Sequence, residues 1–141
     1  MFRFHKTLDV ITLFHKTSVP ASVRVQTLLK QASANISAYA TEDQASNTSA
    51  QLKPNREEFE LNITEDPPTP DQLKNILEYL GPNSAGKVIT GAKSESDAIR
   101  KLKENGDNFR RPVTVDWNNG KAVAGENASE ILKMVQAIPE E

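Results

Sequence analysis

The sequence predicts an α/β fold, a four-stranded mixed sheet with flanking helices in the order βα-βα-α-ββα. Three observations predict it. An apolar run at Val10–Phe14 is followed by a helical stripe and then by an alternating segment at Glu58–Ile63. Two strands joined through a helix pair in parallel by a right-handed crossover. Finally, Val113, Val115 and Trp117 alternate with Thr114 and Asp116 as far as Asn119-Gly120, a hairpin signal, and Lys121–Ala124 returns before an amphipathic C-terminal stretch.

Each element has its own justification. Val10-Ile11-Thr12-Leu13-Phe14 is nearly continuous in apolar residues, as a strand covered on both faces should be. His15 to Val19 forms the next loop, Ser18 is the expected N-cap, and Pro20 suits a first helical turn because its missing amide costs nothing there. Val25, Leu28, Leu29, Ala32 and Ile36 make one stripe facing a sheet. Residues 40–56 are almost devoid of apolar side chains and read as a flexible polar insert, too poor in buriable surface to offset the entropy of ordering. After the alternating strand, Pro67-Pro68-Thr69-Pro70-Asp71-Gln72 reads as a rigid turn and helix start. Thr69 is its cap, Pro70 its first residue and Gln72 its capping-box partner. Leu73, Ile76, Leu77 and Leu80 form the buried face, and Gly81-Pro82 stops the helix.

Val88-Ile89 predicts a brief extended contact. Ser94–Leu102 predicts a further helix, capped by Ser94 or Ser96 and ended at Gly106. Pro112 opens the third strand where a missing donor is tolerated. A type I′ turn at Asn119-Gly120 would require positive φ at both residues. Ile131, Leu132, Val135 and Ile138 share one side of the last helix. Residues 1–141 read as a single domain.

Composition excludes several functions. A net charge of −2 and a pI near 5.8 provide no basic field for nucleic acid or anionic lipid. No apolar run approaches the roughly 20 residues of a membrane span. There is no cysteine. Thiol–disulfide exchange needs a thiolate, so the chain cannot perform it unaided, and cysteine-based zinc and iron–sulfur sites are excluded. His5 and His15, the two histidines, are too few for a multi-histidine zinc centre, and no metal is expected. Residues 1–8 are basic and amphipathic, with no acid before Asp9; they read as a candidate mitochondrial targeting segment or as a frayed terminus.

A proline before a hairpin that leads into a C-terminal helix resembles the second half of the thioredoxin fold. There the bond before the proline is cis and the preceding backbone faces the active site. Arg111-Pro112-Val113-x-Val115, then Asn119-Gly120-Lys121-Ala122-Val123-x-Gly125 and Ser129-Glu130-Ile131-Leu132, resembles the arsenate reductase branch of thioredoxin-like proteins. The opening Pro67-Pro68-Thr69-x-x-x-Leu73 does so too. Val115-Asp116-Trp117-x-Asn119-Gly120 is more similar to a small family of fungal mitochondrial redox proteins. The resemblance covers most of the chain, with a gap near residues 40–56. It implies a thioredoxin-like domain in the mitochondrion, an oxidoreductase acting on small molecules without a thiol of its own. The thiol would be borrowed, for example from glutathione bound against the backbone before Pro112. The alternative is a non-catalytic thioredoxin-like binding module for a small anion, glutathione or a protein partner.

In that fold the reactive site lies at the end of the first strand and the start of the first helix. The helix dipole and free amides there stabilise a thiolate or an anion. The corresponding loop is His15 to Ser22, and the family's nucleophilic cysteine falls at Ser18 or Val19, neither of which is a thiol. Ser18 as a nucleophile would need a base, and His15, the nearest histidine, has no assigned orienting carboxylate. A serine hydrolase is therefore rejected and no catalytic residue is assigned. The candidate ligand-binding residues are Thr17, Ser18, Val19, Ser22, Arg111, Pro112 and Val113.

Arg111 matches the arginine that helps hold the oxyanion in arsenate reductases; the other reading is a surface arginine paired with an acid. Glu126 stands where those enzymes carry a second arginine, which with the missing cysteine argues against arsenate reduction. Lys16 and Arg24 read as solvated residues beside a helix, His15 as hydrogen-bonded structure, and Trp117 as core or hairpin packing. Some members of the fungal family carry a cysteine near the position of Lys101, and this sequence has none there. Glutathione is the candidate ligand, and no other cofactor is expected.

Overall fold

The computed structural model describes residues 9–41 and 59–136. The expected targeting segment at 1–8, the polar insert from residue 42 onward, Glu58 and Ile138 lie outside the described residues. Strand β1 (Asp9–Phe14) leads through a loop into helix α1 (Pro20–Thr41), and β2 (Phe59–Thr64) pairs in parallel with β1 from Asp9 opposite Phe59 to Phe14 opposite Thr64. Helices α2 (Pro70–Leu80), α3 (Ala85–Val88) and α4 (Glu95–Glu104) follow, then a 3-10 turn at Gly106–Asn108. Strand β3 (Val113–Asp116) runs antiparallel to β1, and β4 (Lys121–Ala124) antiparallel to β3. Helix α5 (Ala128–Gln136) comes last. The strand order β2-β1-β3-β4 makes the expected four-stranded mixed sheet flanked by helices, consistent with a thioredoxin-like arrangement.

Two apolar clusters hold the helices to the sheet. One gathers Ile11 and Leu13 of β1 with Val25, Leu29, Ala32 and Ile36 of α1 and Ile131, Met134 and Val135 of α5. The other gathers Phe14, Val113 and Val115 with Leu73, Ile76 and Leu77 of α2, Val88, Ile89, Ala98, Leu102 and Phe109. Each fully buried aliphatic side chain contributes about 1.5–3 kcal/mol relative to exposure, so the stripes decide which face each helix turns inward. The α2 start is as expected: Gln72 N–H donates to Thr69 Oγ1 at 3.1 Å, and Thr69 N–H donates to Gln72 Oε1 at 2.9 Å.

Several expectations are corrected. All four β3 residues are buried, including Thr114 and Asp116, because β3 lies between β1 and β4 with helices on both sides; its two faces differ in what covers them, Val113 and Val115 joining the cluster around α2, and not in whether they are covered. Asp116 accepts the backbone and side-chain N–H groups of Asn119, at 3.3 and 3.0 Å, which makes its burial tolerable. The hairpin closes at Asp116 opposite Lys121, so four residues form the loop and of these Gly120 alone has positive φ, +65°. This is a longer loop than the type I′ turn, and Asn119 is spent on the two carboxylates of Asp9 and Asp116 instead. Helix α1 runs through Ala40 and Thr41, where the insert was expected to have begun. Val88 is helical, so the brief extended contact belongs to Ile89, which bridges Phe109. Ser94, not Ser96, caps α4, which stops at Glu104, two residues before Gly106.

Candidate functional site

The loop after β1 is fixed by its own residues. His15 N–H donates to Thr64 O at 2.8 Å, which ties the end of β1 to β2, and Val19 N–H donates to Lys16 O at 3.0 Å. Val19, not Ser18, holds the N-cap position of α1: its carbonyl accepts Ser22 N–H at 3.0 Å and Val23 N–H at 3.2 Å. Ser18 is exposed and makes no capping bond among the described residues, which corrects the expected cap. The hydroxyl that organises the loop belongs to Ser22. Its Oγ accepts Lys16 N–H at 2.9 Å and shares a 2.6 Å hydrogen bond with His15 Nδ1, with both side chains buried. His15 is thus the hydrogen-bonded structural residue expected, with Ser22 as its partner.

The outer part of the same loop is occupied by a carboxylate of the chain. Glu65 accepts from Thr17 Oγ1 at 3.0 Å and from Thr17 N–H at 3.4 Å. The Thr17 hydroxyl, then its amide, hold the Glu65 carboxyl below the usual carboxylate range, with smaller contributions from His15 and Arg111.

Arg111 is anchored on backbone carbonyls and is not paired with an acid among the described residues. Its bond to Pro112 is cis. Its guanidinium donates from Nη1 to Phe109 O and from Nη2 to Glu65 O, both at 2.9 Å, and lies 5.6 Å from the Phe109 ring centroid. Two backbone carbonyls thus each take one N–H of the guanidinium, and Nε is buried without a partner among the described residues. Burial lowers the pKa of this guanidinium, against the opposing pull of Asp107, Glu65 and Asp66.

Arg24 is exposed beside the start of α1, as expected, and pairs with Glu126. It grips Glu126 through one guanidinium edge, Nε to Oε1 at 2.7 Å and Nη2 to Oε2 at 3.1 Å, and Arg24 holds the Glu126 carboxyl below its usual range. Lys16 pairs with Asp107 at 3.5 Å.

A groove of about 440 Å³ opens beside the start of α1, lined by Ala21, Lys87, Arg110, Arg111, Pro112, Ala124, Gly125 and Glu126. Of the candidate residues, the structure brings Arg111 and Pro112 to this groove. Thr17, Ser18, Val19 and Ser22 do not line it, and the Val113 side chain belongs to the core. Lys87 and Arg110 were missed by reading the sequence. Their only signal was the Arg110-Arg111 doublet, since Lys87 reaches the groove through α3, which no periodicity announced. Among the described residues no three potential metal-ligating side chains converge, and no helix is long and apolar enough to cross a membrane.

Residues 2–126 match a family described as proteins of unknown function, DUF1687. The chain belongs to this family. One similar protein, from Schizosaccharomyces pombe, is named "Putative redox protein fmp46, mitochondrial" and is 38% identical over 63 residues. That match covers 45% of the present chain and 52% of the relative, so this DUF1687 chain spans about half the length of the curated relative it matches.

Proposed function

We propose that this chain is a mitochondrial redox protein that holds a small thiol compound, glutathione foremost, in the groove beside Pro112. The ligand supplies the sulfur that the protein lacks. The observation that carries this reading is the setting of the Arg111–Pro112 peptide at the groove wall. Arg110 N–H donates to Val88 O at 2.7 Å and Gly125 N–H donates to Pro112 O at 2.9 Å, and the Arg111 peptide unit lies between these pairings, outside both. A peptide edge of this kind suits an extended peptide ligand, and the cations around it suit that ligand's carboxylates. The redox role and the mitochondrial location are supported by the name of the S. pombe relative.

The chemistry assigned to the protein is binding and orientation. A bound thiolate displaces one sulfur of a disulfide substrate, forming a mixed disulfide and releasing the other sulfur as a thiolate. Electrons balance without any protein sulfur. The start of α1 beside the groove favours the thiolate over the thiol.

A second reading, a non-catalytic binding module, is favoured by one specific observation: the Thr17 amide and hydroxyl, part of the expected anion site, are taken by Glu65. Amide NMR titration with glutathione, with phosphate and arsenate as anion controls, tests the first reading. It expects saturable glutathione shifts at Ala21 and at Arg111 to Val113, with turnover of a glutathione mixed disulfide. Shifts without turnover select the binding module, and no shift at millimolar glutathione refutes both small-molecule readings.

A further inference from the structure

We propose that Lys87 and Arg110 form a carboxylate-binding subsite at the α3 side of the groove and set the charge of the ligand it accepts. For the identity of the thiol ligand the inference rests on the reading above; the subsite itself rests on geometry. Arg110 N–H donates to Val88 O at 2.7 Å and its Nη1 reaches Gly86 O at 3.4 Å, so the backbone of α3 draws Arg110 against the turn that carries Lys87. Both side chains are exposed and both line the groove. Among the described residues neither forms an ion pair. The one acid lining the groove, Glu126, is held by Arg24, and Asp107 is drawn to Lys16.

Two uncompensated cations lining one groove make an anion there favourable. The donors are available. A guanidinium has five N–H groups, of which Arg110 uses one, and the Lys87 ammonium has no hydrogen bond among the described residues. Arg111 is less exposed and already gives N–H groups to Phe109 O and Glu65 O, so Lys87 and Arg110 present the freer donors. The ligand class that fits is a small molecule carrying a free carboxylate at one end, with the remainder lying along the Arg111–Pro112 backbone.

The test is calorimetric titration of the full chain and of its Lys87→Gln and Arg110→Gln variants, with Arg100→Gln as a control at an exposed cation outside the groove. Three probes are used: glutathione, its diethyl ester, and citrate as a carboxylate without sulfur. Each groove variant is expected to weaken glutathione and citrate by about tenfold, the size of one charge-assisted hydrogen bond. The control and the ester are expected to show no such dependence. Citrate binding that depends on both residues, with no glutathione binding, would uphold the subsite while removing the thiol reading. Glutathione binding that is equal in wild type and in both variants would overturn the subsite and leave the thiol reading intact. Citrate binding that is absent, or that responds to Arg100→Gln as strongly, would also overturn it.

Discussion

Replacing Ser22 by alanine removes one oxygen from a buried position and strands two partners. Lys16 N–H loses its acceptor at 2.9 Å and His15 Nδ1 loses its partner at 2.6 Å. A buried hydrogen bond contributes about 1 kcal/mol net, and leaving a buried group unsatisfied costs about 1–3 kcal/mol, so the variant should lose about 2–4 kcal/mol. With a urea slope of about 2 kcal/mol per molar, the unfolding midpoint should fall by about 1–2 M at an unchanged slope. Ser18→Ala, at an exposed position without a capping bond, should stay within about 0.5 kcal/mol of wild type. Ser22→Thr, which keeps the hydroxyl, should recover part of the loss. A Ser22→Ala midpoint within about 0.3 M of wild type, or a Ser18→Ala loss as large as that of Ser22→Ala, would refute the assignment of Ser22 as the organiser of the loop.

Other expectations can be checked on the same protein. Thr69→Ala removes the capping-box hydroxyl and should cost about 1 kcal/mol by urea unfolding, with Gln72→Ala costing less. Because the Glu65 carboxyl is lowered in the fold, its contribution is present above the unfolded-state pKa and is lost as pH falls through the folded value, below the usual carboxylate range. Thr17→Val should therefore move the Glu65 carboxyl signal upward in a carbon-detected NMR titration; an unchanged titration would contradict the Thr17 contact. Trp117 donates its indole N–H to Thr12 Oγ1 at 2.8 Å, so Thr12→Val should shift the emission maximum of this sole tryptophan and cost about 1 kcal/mol.

The elements that local chemistry specifies were legible in the sequence. The α2 start needs only Thr69, Pro70 and Gln72 in order, and all three take the expected places. The β1–β2 crossover follows from an apolar run, a stripe and an alternating strand. What local chemistry leaves open was misread. Thr114 and Asp116 alternate with valines, which announces two unlike faces but not that both are covered; the strand order buries them, and Thr114 Oγ1 has no partner among the described residues. Ser18 and Ser22 look alike as caps; the choice depends on His15 and Lys16 turning back over the loop. Arg111 could be placed beside the site from the Arg-Pro wording, but the carbonyls that absorb its fork come from Phe109 and from Glu65, 46 residues away. Lys87 and Arg110 converge only because α3 and the segment before Pro112 pair through backbone atoms, which side-chain patterns do not record.

The grip of Arg24 on Glu126 joins residues 102 positions apart, tying α1 to a residue that lines the groove. Both side chains are exposed, so the contact weakens as ions screen it. An exposed pair of this kind holds weakly to begin with, and rising ionic strength loosens it further. Salt therefore acts on the groove twice, competing with an anionic ligand for its cations and loosening the hold on Glu126, the one acid in its lining.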